Sequence, residues 1–124
     1  MQIGMSHTVD KVVEHVDSAA AMGSGSVAVF ATPAMILMME LAARDCVAAA
    51  LPEGSTTVGT VVNVRHMAAT PVGMRVSATA NLIEIDGRRL VFEVEAKDEN
   101  GIIGKGLHER AVIDIERFMA KLAK

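Results

Sequence analysis

Three residues of this 124-residue chain pair a reactive side chain with surroundings that single it out. Glu40 lies within Met35-Ile36-Leu37-Met38-Met39-Glu40-Leu41-Ala42-Ala43, the most apolar window of the sequence. An ionised carboxylate is costly to hold in such surroundings, and that suits a carboxylate to general-base work. Arg44, one helical turn on, offers the competing use, a plain ion pair at i and i+4. His66 shares a strand face with Val62 and Val64 if the strand is unbroken. An imidazole titrates near neutrality and can pass a proton to a leaving group, although a lone strand histidine also serves as an ordinary structural residue. Thr32 stands before Pro33 and a long apolar run, where a hydroxyl is suited to capping a helix N-terminus. The free N–H groups of that terminus can polarise an oxygen placed there, so capping and chemistry are compatible.

Other positions carry weaker signals. Gly59 interrupts a β-branched run, which predicts a bulge or a close ligand approach, and Gly73 reads as a turn residue. His108, Glu109 and Arg110 alternate along a strand and are expected to be mostly solvated. Arg110 is the one placed to orient a site or bind phosphate. Arg88 and Arg89 follow a turn, and solubility is their expected role. Cys46 is the only cysteine, a small buried residue by expectation, so no internal disulfide is possible and a reducing, cytoplasmic setting is expected. The sequence has no Cys/His cluster with metal spacing, no glycine-rich phosphate loop and no Gly-x-Ser-x-Gly elbow.

These groups need a scaffold, and the composition allows one domain spanning residues 1–124, with 51% hydrophobic and 22% charged residues. Nine methionines suit a deformable core or pocket. With net charge −3, three Phe, no Trp and no Tyr, there is neither a basic stripe nor a stacking platform, which argues against nucleic acid as a partner. The charge is uneven, however. Residues 1–62 hold two basic and six acidic groups and residues 63–124 hold ten and nine, so an anionic ligand is expected on the second half. The N-terminal residues lack the pattern of a signal peptide. The longest uncharged apolar stretch, residues 26–39, contains Pro33 and is too short to cross a bilayer, so no membrane association is expected.

The clearest element is a helix over residues 34–50, ended by Pro52 and Gly54 and apolar on most faces, hence expected to be buried on nearly all sides. Residues 5–16 read as a strand, and residues 19–26 as a loop with one helical turn. Residues 56–70, 76–82, 89–97 and 102–115 read as four more strands, with Asp86-Gly87 and Asn100-Gly101 as tight turns. Residues 118–124 read as a short helical tail. One apolar helix and about five long antiparallel strands make a two-layer α+β domain in which the sheet wraps the helix. Strands of that length need an edge partner, so edge-to-edge dimerisation is expected.

Several segments in familiar order resemble the fluoroacetyl-CoA thioesterase-like branch of the hotdog-fold thioesterases. They are Val29-Phe30-Ala31-Thr32-Pro33 leading to Met39-Glu40, Val58-Gly59-Thr60, and Val64-Arg65-His66-Met67-Ala68-Ala69-Thr70-Pro71. Asp86-Gly87-Arg88-Arg89-Leu90 and Gly104-Lys105-Gly106-Leu107-His108-Glu109-Arg110-Ala111 follow. The resemblance covers roughly residues 26–118. It implies a hotdog fold and hydrolysis of an acyl-CoA thioester to a carboxylic acid and CoA, with no metal or redox cofactor. It also implies a homodimer or dimer of dimers whose sites draw on two chains. Thr32, Glu40 and His66 take the catalytic roles, and Phe30, Gly59 and Arg110 bind substrate, with the Gly59 N–H a donor to the thioester oxygen. Glu40 either activates water or attacks directly. In one respect the chain departs from the family. Gly23-Ser24-Gly25-Ser26 stands where the fluoroacetyl enzyme carries phenylalanines over its acyl pocket, which points to a broader acyl preference. Two rivals share the fold. One is a hydratase or dehydratase, for which the Asp-x-Asn-Pro-x-His string is missing; the other is a non-catalytic acyl-CoA binder.

Overall fold

Between Thr32 and Ala48 there is no glycine, and the single proline, Pro33, falls in the first turn, where a missing N–H leaves nothing unsatisfied. That run is helical throughout. The computed structural model describes residues 1–123, so Lys124, the end of the expected tail, lies outside the described residues. In chain order the elements are β1 (Ser6–Val12), a 3₁₀ turn (His15–Asp17), α1 (Ala19–Met22), α2 (Thr32–Ala48), β2 (Ser55–His66), β3 (Arg75–Asp86), β4 (Arg89–Asp98), β5 (Gly101–Asp114) and α3 (Ile115–Leu122).

The strands form one antiparallel sheet in the order β1-β3-β4-β5-β2. The β3-β4-β5 meander turns at Gly87 and Gly101, whose φ values of 59° and 133° exclude most side chains. Inward residues Val76, Ala78, Ala80 and Leu82 of β3 and Leu90, Phe92, Val94 and Ala96 of β4 are buried against Met35, Met38, Met39 and Ala42 of α2. With strands of 10–14 residues in β2 to β5, this is the long sheet wrapped on a helix that the burial problem required. No helix among the described residues is long and apolar enough to cross a membrane.

Two expectations are corrected here. Ala31, not Thr32, is the N-cap of α2, and no side chain caps that terminus; the Thr32 hydroxyl is committed elsewhere. Nor is α2 buried on nearly all sides. Pro33 and Arg44 are exposed, Leu37 is 55% exposed, and Leu41 is half-buried. The cause is an off-centre seat, because α2 rests chiefly on β3 and β1. The inner face of β2 is therefore left thinly covered, and Val62, on that face, is 44% exposed. β2 is also an edge of the sheet, bulged where Thr60 has no opposite residue on β5.

Candidate active site

The uncovered strip between α2 and β2 holds two polar clusters. At the start of α2, Thr32 Oγ1 lies 2.7 Å from Nδ1 of His66, the last residue of β2. Phe30 sits edge-on to the imidazole, with ring centroids 6.4 Å apart, and is itself buried. Thr32, His66, Phe30, Ser24, Met67 and Ala68 line a cleft of about 300 Å³. His66 Nε2 is buried and has no hydrogen-bond partner among the described residues. Burial pushes this imidazole below its ordinary pKa, and the neighbouring Ala68 backbone opposes the shift only in part. At neutral pH His66 is thus chiefly the neutral base, so a proton it delivers must first be collected in the site.

The second cluster lies two helical turns along α2. Arg110 is buried on β5, its Nη1 3.6 Å from Glu40 Oε2. The guanidinium is fixed on its other sides, Nε donating to Thr57 Oγ1 at 2.7 Å and Nη2 to the Thr57 carbonyl at 2.9 Å. Nη1 also donates to His108 Nε2 at 3.1 Å, while His108 Nδ1 donates to the Val61 carbonyl at 2.8 Å. An arginine only donates and a carbonyl only accepts, so both ends set the same tautomer: neutral His108 with its proton on Nδ1. Burial is the largest influence lowering the His108 pKa; the Val61 bond and Glu40 oppose it, and Arg110 reinforces it. Gly59 completes the cluster, since a Cβ there would stand 2.8 Å from Glu40 Oε2 and 3.3 Å from the His108 ring.

Glu40 itself is not deeply buried, its side chain being 38% exposed, because the cluster sits on the uncovered side of α2. Arg44 does not hold it; that guanidinium pairs with Asp45 at 3.0 Å. His108 and Arg110 are not solvated, being 1% and 6% exposed, whereas Glu109 faces outward and binds Arg89 at 2.7 Å. The spacing held the signal for this. Two residues apart, His108 and Arg110 must share a face, and β5 is an interior strand with its inward face in the core. Cys46 is buried as expected, which raises its thiol pKa. Among the described residues no group of three or more His, Cys, Asp or Glu is placed to hold a metal ion.

One chain does not bring the two clusters together. Thr32 and Glu40 are eight residues apart on α2, about 12 Å along its axis. Gly59 and His66 are about 20 Å apart along β2.

The model of the fluoroacetyl-CoA-specific thioesterase family matches residues 13–116. The chain belongs to that family. It is 47% identical over 94 residues to the fluoroacetyl-CoA thioesterase of Streptantibioticus cattleyicolor, covering 76% of this chain and 68% of that protein. A solved structure of the fluoroacetyl-CoA thioesterase superposes with a TM-score of 0.92 at 39% identity, covering 99% of this chain and 96% of that one. A thioesterase superfamily member from Thermus thermophilus superposes at 0.91 with 31% identity, covering 98% and 90%. The hotdog fold expected from the sequence is thereby shown, and family membership makes the chain a thioesterase.

Proposed function

We propose that this thioesterase hydrolyses acyl-CoA thioesters at sites composed of two copies of the chain. Each site joins the Thr32–His66 pair of one copy to the Glu40–Gly59–Arg110 cluster of the other. The observation that carries this is the division itself. Each cluster is internally ordered, the two lie toward opposite ends of the same edge strand, whose outer side is open, and His66 Nε2 is buried without a partner among the described residues. Antiparallel pairing of β2 with a second β2 about an axis near Val62 puts Gly59 of one chain opposite the His66 end of the other.

In that arrangement the thioester carbonyl lies at the Gly59 backbone and the N-terminus of α2, where positive dipoles meet the developing oxyanion. Glu40, held beside Arg110, takes a proton from water as the water oxygen bonds to the acyl carbon. The carbon–sulfur bond then breaks, and the proton reaches the thiolate through His66, held in place by Thr32. The products are a carboxylic acid and free CoA.

Subunit complementation tests the arrangement. Glu40→Gln and Thr32→Ala should each release thiol from acyl-CoA on the order of 10²-fold more slowly. Refolded together in equal amounts, half the dimers are mixed and each mixed dimer keeps one intact site of two, so about a quarter of the unmodified activity returns. No recovery on mixing places all the groups within one chain and overturns the composite site. Absence of thiol release from every acyl-CoA by the unmodified protein overturns the activity.

A further inference from the structure

Five arginine and lysine side chains among the described residues have no carboxylate within ion-pair distance: Arg65, Arg88, Lys105, Arg117 and Lys121. Three of the five, Arg88, Arg117 and Lys121, line a single cleft of about 250 Å³ with Ile113, Asp114 and Phe118. Asp114 is the only carboxylate among its described lining residues, and Asp114 Oδ1 is occupied in accepting from the Arg117 backbone N–H at the start of α3. The aromatic residue is equally distinctive. Of the three phenylalanines, Phe30 and Phe92 are buried in the core, and only Phe118 has an accessible ring, at 38% exposure.

Unpaired cations around an accessible aromatic ring select a ligand that is both anionic and flat. Phosphates take charge-assisted hydrogen bonds from arginine and lysine, and a nucleobase stacks on an aromatic face whatever its edge pattern. The position also fits. The cleft opens where β5 ends, four residues beyond Arg110, about 13 Å along the strand. A pantetheine arm, built of a pantoyl, a β-alanyl and a cysteaminyl unit, spans about as much as four extended residues, roughly 14 Å. We propose that this cleft holds the phosphorylated adenosine end of the CoA thioester, with Arg88, Arg117 and Lys121 on the phosphates and Phe118 beneath the adenine. The identity of the ligand rests on the thioesterase reading; the anion-and-ring chemistry of the cleft does not.

The test separates the two. Hydrolysis of an acyl-CoA is compared with hydrolysis of the same acyl group on N-acetylcysteamine, which lacks the nucleotide. In the triple variant Arg88→Gln, Arg117→Gln, Lys121→Gln the ratio of kcat/KM for the two substrates should fall about tenfold or more, chiefly through KM for the CoA thioester. Phe118→Ala should lower the same ratio and Phe118→Leu should lower it as much, since an aliphatic side chain fills space without stacking. Arg75→Gln, which removes an exposed partner of Asp10 elsewhere on the sheet, serves as the control and should leave the ratio as it is. Adenosine 3′,5′-bisphosphate titrated into the unmodified protein should bind, and should bind at least about tenfold more weakly to the triple variant. An unchanged ratio with undiminished bisphosphate binding overturns the assignment. If neither thioester is hydrolysed, the catalytic reading fails, and the bisphosphate titration still decides the cleft.

Discussion

In the mechanism proposed here, His108 stands two contacts from the reacting atoms and acts through Arg110 and Glu40. Its imidazole is wedged between a backbone acceptor and a guanidinium donor, so it aims Arg110 at Glu40 while tying down β2 beside the bulge. A side-chain amide can copy only one of these contacts. The shorter amide of asparagine would reach the Val61 carbonyl from near the Nδ1 position, whereas the longer one of glutamine would accept from Arg110 near the Nε2 position. His108→Gln should therefore keep kcat within about tenfold, and His108→Asn should lose on the order of 10²-fold with KM little changed. Equal losses in both would reduce His108 to a packing residue. Its burial also links it to stability. Both His66 and His108 have lowered pKa values in the folded chain, so below about pH 6.5 the unfolded chain binds protons first. Stability is then fully present above that pH and falls as the solution is acidified; denaturant midpoints that are equal at about pH 7.5 and about pH 5.5 would contradict it. The triplet His108-Glu109-Arg110 announces that His108 and Arg110 share a face, not that this face is the buried one. Charged residues in a strand read as solvated, and only knowing that β5 lies between β4 and β2 turns two of the three inward.

Elements were more legible than their order. The gap in glycine and proline located α2, and the two turn dipeptides located β3, β4 and β5, because those signals are local. That β2 pairs with β5 across the sheet from β1 is a long-range fact, and with it goes the edge on which both clusters lie. The glycine in β2 was a partial exception, since an unbranched residue in a β-branched run predicted a bulge or a close ligand approach, and the bulge lies beside it at Thr60. Gly59 and Gly106 are both inward positions on adjoining strands, yet they should fail differently. A methyl at Gly59 meets the tip of the Glu40 side chain, which can swing aside, so Gly59→Ala should fold and melt normally while kcat falls about tenfold or more, as for one misplaced catalytic group. A methyl at Gly106 meets the Asn63 carbonyl and the Val64 backbone, which cannot move without parting β2 from β5. Gly106→Ala should accordingly destabilise by about 1–3 kcal/mol, read as a shift in denaturant midpoint at unchanged slope. A normal melt for Gly106→Ala, or full activity for Gly59→Ala, would contradict the packing described.

For the molecule as a whole, the sequence announced a long apolar helix and a charge excess toward the C-terminal half, and both are present. What it did not announce is that a single chain leaves Leu37 and Val62 more than 40% exposed along the α2–β2 side, because the off-centre seat of α2 leaves no mark in a local pattern. The cleft proposed here for the acyl group lies on the same side, and its composition sets the specificity expected. The cleft of about 300 Å³ next to Thr32 and His66 is bounded toward α1 by Ala19 and Ser24. The stretch from Gly23 to Ser26 offers no aromatic ring to close over a small acyl group, and Gly25 sits against Ala19, where a Cβ would meet Ala19 Cβ at 3.2 Å. An apolar pocket gains only about 1–3 kcal/mol of discrimination per methylene, and sharper choice requires a rigid wall or a polar reader of the acyl group. This rim provides small side chains instead. Acetyl, propionyl and butyryl thioesters of CoA should therefore be hydrolysed with kcat/KM values within about two orders of magnitude of one another, and fluoroacetyl-CoA should fall inside that range. The substitution Ser24→Phe should narrow the range by penalising the longer chains first, because a ring added at this lining position shortens the cleft. If the unmodified enzyme instead prefers fluoroacetyl-CoA over acetyl-CoA by well more than two orders of magnitude, the fluorine is read by a group deeper than the rim, and His66, which lines the cleft, becomes the first residue to substitute.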